Sequence, residues 1–326
     1  MKKLLAVLLV SLLVLTGCGS KGEDKPSGET PATGKDYKIG TGIKVSAKSK
    51  EAADGKDGSF ETNVYFATVV LDGDKIAQVQ IDVAQNQQAV KADGTIVKFE
   101  FKGTKKTQGK DYGMAGNSGI KKEWFEQIEA LEAWAVGKTP AEVAGLATEK
   151  KDDAHPAVPT DADLTSSVTI SVQDYLDVIA LAVTNATDVK NVASVGMSAS
   201  TTGAEDKLDL NTTVAVSAFD PEGKIVYSFI DDAKVTATID GTTITPATDL
   251  RTKTELKEEY GMKEASKLGK EWYEQVAELR AWAIGKTAEE VGQASDADIT
   301  SMVSFYAGGL KSAVEATKAS AKTIGQ

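Results

Sequence analysis

The 21 residues EWFEQIEALEAWAVGKTPAEV, from Glu123 to Val143, return 148 positions later as EWYEQVAELRAWAIGKTAEEV, with 13 positions identical and no gap. Upstream, Tyr112-Gly113-Met114 and Tyr260-Gly261-Met262 keep the same spacing. The period is far longer than the roughly 20–50 residues of solenoid repeats, so the chain is a tandem duplication in which each copy is expected to bury a core of its own.

Gly137-Lys138-Thr139 and Gly285-Lys286-Thr287 match the end of a phosphate-binding P-loop. That loop also needs an earlier glycine, which lets the backbone wrap around the phosphates. Glu132 and Arg280 stand there instead. The pattern reads as helix punctuation: Gly137 and Gly285 end one helix, while Thr139 and Thr287 cap the next with Glu142 and Glu290 three residues on. Pro140 takes a first-turn position.

Each copy opens with residues alternating at period two. TNVYFATVVLDGDKIAQVQIDV and TTVAVSAFDPEGKIVYSFID each read as a hairpin, with further strands expected at Ile96–Phe101 and Val235–Ile239. The period then changes. Trp124, Ile128, Leu131 and Ala135 fall on one helical face, with Glu123, Glu126 and Glu132 mostly off it. The expected fold class is α+β, two tandem copies of a small antiparallel sheet packed with helices. The spacing of Trp124, Trp134, Trp272 and Trp282 fits core packing.

The chain begins MKKLLAVLLVSLLVLTGC, a charged start and a short apolar run before small residues and Cys18. This is an export signal, too short for a comfortable membrane span. Leu15-Thr16-Gly17-Cys18 resembles the lipobox of bacterial lipoproteins, which implies diacylation of Cys18. Cys18 is the only cysteine and His155 the only histidine, so the sequence offers no disulfide, no Cys- or His-based metal cluster and no Ser-His-Asp catalysis. His155 lies in a polar, proline-flanked stretch and reads as a solvated loop residue. With 48 acidic against 37 basic residues, nucleic acid and anionic headgroups are poor partners. The expected organisation is a signal peptide at 1–17, a disordered Gly/Pro/Ser-rich tether at 18–36, and domains at 37–188 and 189–326.

Chemistry is sought in DADLTSSVTISVQDYLDVIALAVTNA. Ser171 with Asp174 resembles a helix start, and Tyr175, Ile179, Ala182 and Val183 continue an apolar face. Thr169 is expected just before that helix, where a phosphate on its hydroxyl meets free backbone N–H groups.

Asp163-Leu164-Thr165-Ser166-Ser167-Val168-Thr169-Ile170-Ser171 resembles the flavinylation motif of the FMN-binding domain family, D-x-x-[ST]-G-A-T followed by x-[ST] and a helix. In that family a flavin transferase, using FAD and magnesium, joins FMN to the motif threonine as a phosphodiester. The resemblance implies Thr169 as the covalent acceptor, with Asp163 and Ser166 as motif residues. Ser167 and Val168 depart from the motif's glycine and alanine. In the second copy Asp298, Ser301 and Ser304 keep the frame, making Ser304 the position for a second FMN.

Tandem FMN-binding domains behind a lipobox look like flavin lipoproteins of extracellular electron transfer in Gram-positive bacteria. The resemblance implies an electron carrier that takes electrons from a membrane oxidoreductase and passes them outward, rather than a substrate-specific enzyme. Tyr112 and Tyr260 are candidates to line the isoalloxazine. Two alternatives stand beside this reading: a cofactor-free lipoprotein binding module that keeps the fold, and a flavin reductase acting on small acceptors.

Overall fold

The computed structural model describes residues 34–325 except residue 54. Cys18, with the expected signal peptide and nearly all of the expected tether, therefore lies outside the described residues, and strand β1 already begins at Lys35, inside the span assigned to the tether.

The first copy runs β1 (Lys35–Lys50), β2 (Gly58–Asp72) and β3 (Lys75–Val90), then α1 (Lys105–Gln108), α2 (Trp124–Ala135) and α3 (Pro140–Ala144). It continues through the short pair β4 (Thr148–Glu149) and β5 (Val158–Pro159), then α4 (Gln173–Thr184) and β6 (Thr187–Val192). The second copy repeats the plan with β7 (Ser194–Gly203), β8 (Leu208–Phe219), β9 (Ile225–Asp240) and β10 (Thr243–Pro246). Helices α5 (Lys253–Leu256), α6 (Trp272–Ala283), α7 (Ala288–Gly292), α8 (Asp296–Ile299) and α9 (Gly308–Ala316) follow, and β11 (Lys322–Thr323) closes it. The antiparallel sheets are ordered β3-β2-β1-β6 and β10-β9-β8-β7-β11, so β6 and β11 return to equivalent edges. The class is α+β, as expected.

Period-two alternation gives each sheet two buried faces. On β2, Ala67, Val69 and Leu71 face the helices with Trp124, Ile128, Leu131 and Ala135 of α2. The intervening Val64, Phe66 and Val70 join Ile39 and Ile43 in a cluster with Val195, Met197, Val214 and Val216 of the second copy. The layers therefore run helix, sheet, sheet, helix, and the described residues form one unit. Polar side chains lock the seam: Gln80 Nε2 donates to the Val195 carbonyl at 2.7 Å, and Asn86 Nδ2 to Thr212 Oγ1 at 3.2 Å. Each copy has a helix-side core of its own, and the two share two more between the sheets.

Several local expectations hold. Gly137 and Gly285 have φ of 81° and 82°, the left-handed region, and Thr139 and Thr287 begin α3 and α7 with full capping boxes. Others need correction. Ile96–Phe101 is not a strand but a segment with one bridge, Val90 to Ile96, and Val235–Ile239 is the far half of β9. Glu123 and Glu132 are buried rather than off the packed face. Glu123 Oε2 accepts the Met114 N–H at 2.8 Å; Glu132 Oε1 accepts the Ile81 N–H at 2.6 Å and pairs with Lys106. The boundary expected between 188 and 189 falls inside strand β6, which carries the first sheet to Val192.

Candidate functional site

Gln127, on the packed face of α2, is fully buried. Its Oε1 accepts the Thr169 backbone N–H at 2.9 Å and the Thr169 hydroxyl at 3.3 Å; its amide donates to Ser118 Oγ at 3.3 Å and to the Lys122 carbonyl at 3.4 Å. One side chain thus ties the segment before α4 to the loop before α2. The second copy repeats the arrangement. Gln275 Oε1 accepts the Ser304 N–H at 2.7 Å and its hydroxyl at 3.2 Å, while the Gln275 amide donates to Ser266 Oγ at 3.0 Å and to the Lys270 carbonyl at 2.9 Å.

A cavity of about 400 Å³ opens beside Thr169, within the size range of small-molecule sites. Met114, Asn117, Ser118, Gln127, His155 and Ile170 line it, with Lys151 at its exposed margin. His155 Nδ1 lies 2.8 Å from Asp152 Oδ1, and that contact holds the Asp152 carboxyl below its ordinary value. His155, read from sequence as a solvated loop residue, is exposed and also borders this cavity.

The other motif residues are more distant from it. Asp163 and Ser166 are exposed on the turns that precede the buried Val168, and Asp163 donates its N–H to Asp161 Oδ1 at 2.9 Å. Asp298 is exposed and closes the cap of α8, accepting the Ser295 N–H and hydroxyl at 2.8 and 2.7 Å; Ser301 is exposed. Only Thr169 and Ser304 reach the buried glutamines. Ser171 does not cap α4, whose first flanking residue is Val172 with no side-chain cap. Ser171 Oγ instead accepts the Ala157 N–H at 3.1 Å.

A second cavity of about 370 Å³ is walled by Lys253, Tyr260, Met262, Trp272, Phe305 and Tyr306; Ser304 itself does not line it. The Trp272 and Phe305 rings stack with centroids 6.4 Å apart. In the first copy the corresponding place holds Tyr65 and Tyr175, their rings 5.9 Å apart, where the second copy has Thr213 and Leu310. Trp124 Nε1 donates to the Tyr175 hydroxyl at 2.9 Å. Burial raises the Tyr175 phenol above its ordinary pKa, and burial together with the Asp174 charge pushes Tyr65 up to about 12. Tyr112 and Tyr260 each place their ring beside a buried lysine, Lys105 at 4.9 Å and Lys253 at 5.3 Å.

The donor set beside Thr169 fits a phosphoester: a held hydroxyl, amide and hydroxyl donors on Asn117 and Ser118, and a nearby ammonium on Lys151. Sequence reasoning missed Gln127 and Gln275. Their signal was present, since glutamine stands at the same place in both copies, beside Ile128 and Val276 on an otherwise apolar stripe. Among the described residues, no three His, Cys, Asp or Glu side chains are grouped to hold a metal ion, and no helix is long and apolar enough to cross a membrane. Comparison with family models, with curated proteins and with solved structures gives no match.

Proposed function

We propose that this chain is a membrane-anchored, extracytoplasmic flavoprotein that carries FMN on Thr169 and relays electrons from a membrane oxidoreductase to extracellular acceptors. The observation that carries the reading is the paired geometry at Thr169 and Ser304. In both copies the hydroxyl residue at the motif's acceptor position is held by a buried glutamine, and Thr169 also lines a cavity of ligand size.

FMN supplies reversible electron uptake and release when bound. The chain attaches and orients it. In the transferase reaction Thr169 Oγ1 would bond to the FMN phosphorus of FAD as the pyrophosphate bond breaks and AMP leaves, with the hydroxyl proton given up to solvent; the Thr169 N–H still donates to Gln127, so the segment keeps its anchor after modification. Asn117 and Ser118 offer donors, and Lys151 offers charge, to the phosphodiester. Ser304 provides the equivalent hydroxyl for a second flavin. Asp163 and Ser166, with Asp298 and Ser301 in the second copy, are exposed, as residues read by a flavin transferase must be. Cys18 carries the lipid in this reading. Two acyl chains, at about 0.8 kcal/mol per buried CH₂, are what stable anchoring takes.

Protein produced with its flavin transferase should be yellow and should keep the chromophore through denaturation and gel filtration. A protein colourless after that treatment would support the cofactor-free binding module instead. Cys18→Ala should release the protein from the membrane fraction; unchanged retention would argue against the lipid anchor.

A further inference from the structure

The second cavity lies where the first copy is filled, and the strand register fixes the match. Tyr65 pairs with Lys44 and Val83, and Thr213 pairs with Ser200 and Asp232. Tyr175 and Leu310 correspond in the same way, each six residues beyond its acceptor position. The first copy closes the space with the Tyr65 and Tyr175 rings and with an ion pair, Lys44 Nζ to Asp174 Oδ1 at 2.8 Å. Thr213, Leu310, Ser200 and Gly309 stand at those places in the second copy, and each is smaller than its counterpart. A Cβ on Gly309 would meet nothing within 4 Å, so the space stays open there.

More than bulk is missing. Trp124 Nε1 donates to the Tyr175 hydroxyl at 2.9 Å, whereas Leu310 offers the equivalent buried indole, that of Trp272, no acceptor. Asn211 also lines the cavity, and its Oδ1 is buried without a hydrogen-bond partner. Buried polar atoms left unmet are costly, and a ligand that meets them gains by it. The charges on the wall are already matched, since Lys253 Nζ lies 2.8 Å from Asp232 Oδ2, so a neutral ligand suits the site. Its other walls are rings. Phe305 stacks on Trp272 and Tyr306, 85% exposed, stands at the rim, where the first copy has Ile170 and Ser171.

We propose that the second copy reversibly binds a free molecule of the phenol class, a neutral planar ring bearing a hydroxyl, in the place that Tyr65 and Tyr175 fill in the first. The ring packs among Tyr260, Trp272 and Phe305. A hydroxyl both accepts and donates, the two roles that Trp272 and Asn211 leave open. The first copy thus carries its phenols in its own chain, and the second takes one from solution. Flavin attachment is a separate matter, because neither Thr169 nor Ser304 lines this cavity.

The probe is p-cresol, the tyrosine side chain as a free molecule, added to the full chain with ¹⁵N-labelled tryptophan. The Trp272 indole N–H resonance, assigned by its loss in Trp272→Phe, should move saturably, while that of Trp124 stays in place. Toluene, the same ring without the hydroxyl, should bind roughly tenfold more weakly, the worth of one buried hydrogen bond. Leu310→Tyr and Thr213→Tyr each restore a ring of the first copy and should abolish the response, with thermal unfolding reporting that each variant is folded. Asn211→Leu removes the buried acceptor at similar volume and should weaken p-cresol but not toluene. A Trp272 resonance that ignores p-cresol, or a response that survives both tyrosine substitutions in folded protein, overturns the inference. Equal binding of toluene and p-cresol overturns the phenol assignment, as does a response to riboflavin and not to p-cresol.

Discussion

The carbonyl oxygen of Ala182, on α4, lies closer to where a Cβ on residue 40 would stand than any non-bonded contact allows, so only glycine at position 40 lets the helix sit on strand β1. The second copy repeats the relationship between Gly196 and the Thr317 carbonyl. Position 42 shows a second solution. Gly42 faces the Val178 carbonyl, whereas its counterpart Ser198 donates its hydroxyl to the Ala313 carbonyl at 2.6 Å. Gly40→Ala should therefore destabilise the protein by about 1–3 kcal/mol, as overpacking a tight contact does. Chemical denaturation reads this directly; an unchanged midpoint would mean that α4 is not seated as described.

Gln127 carries more than its own burial. Gln127→Ala leaves the Thr169 N–H and hydroxyl without their acceptor and the Lys122 carbonyl without a donor. These groups are half-buried, so water replaces part of the lost bonding and the combined cost is about 1–3 kcal/mol. The variant should lose at least that much stability and should also take up flavin poorly, because its acceptor hydroxyl is no longer held. Gln275→Ala should match it in stability, while leaving modification at Thr169 intact.

Stability should rise on mild acidification. Burial pushes Asp82 and Asp231 up to about 6 despite their hydrogen bonds, including one from Thr104 to Asp82 at 2.6 Å. Their folded pKa values lie above the unfolded ones, so the folded state binds more protons between about pH 4 and 6. Stability is thus gained as pH falls through 6 and lost as it rises, by about 3 kcal/mol for each carboxyl. Denaturant midpoints at pH 7.5 and 5 should show the gain, and Asp82→Asn with Asp231→Asn should flatten it. A wild-type protein less stable at pH 5 than at 7.5 would contradict this account.

Separated copies test the shared layer. A chain ending after Val192 keeps the first sheet but exposes Ile39, Ile43, Val64, Phe66 and Val70, which the second copy buries. It should be less stable than the whole chain and should self-associate, because a contiguous apolar sheet face is left open. Sedimentation of that fragment as a monomer of undiminished stability would show that the sheet-to-sheet core contributes little.

What could be read in the sequence was local. The stripe Trp124, Ile128, Leu131 and Ala135 shows its period, and Thr139 with Glu142 shows its cap, because each depends on neighbours within one helical turn. Ile96–Phe101 misled for the opposite reason. Phe99, with Ile96 and Phe101 beside it, packs into the seam between the sheets, so its apolar pattern records burial of a loop and not a ladder. Ser171 followed a capping pattern, but its partner is Ala157, fourteen residues back. The two-layer seam was invisible because period two says which residues share a face and not what that face meets. At the site, Thr169 was legible as a hydroxyl before a helix, while the glutamine that holds it comes from a different element 42 residues away.

Peptide mass spectrometry of protein produced with its transferase reads whether Thr169 Oγ1 carries FMN. The peptide containing Thr169 should be heavier by one FMN moiety. Thr169→Val should remove that mass while leaving the fold within about 1 kcal/mol of wild type, since the N–H bond to Gln127 survives. An unmodified Thr169 peptide in the wild-type protein, or FMN still attached in the same peptide of Thr169→Val, would contradict it.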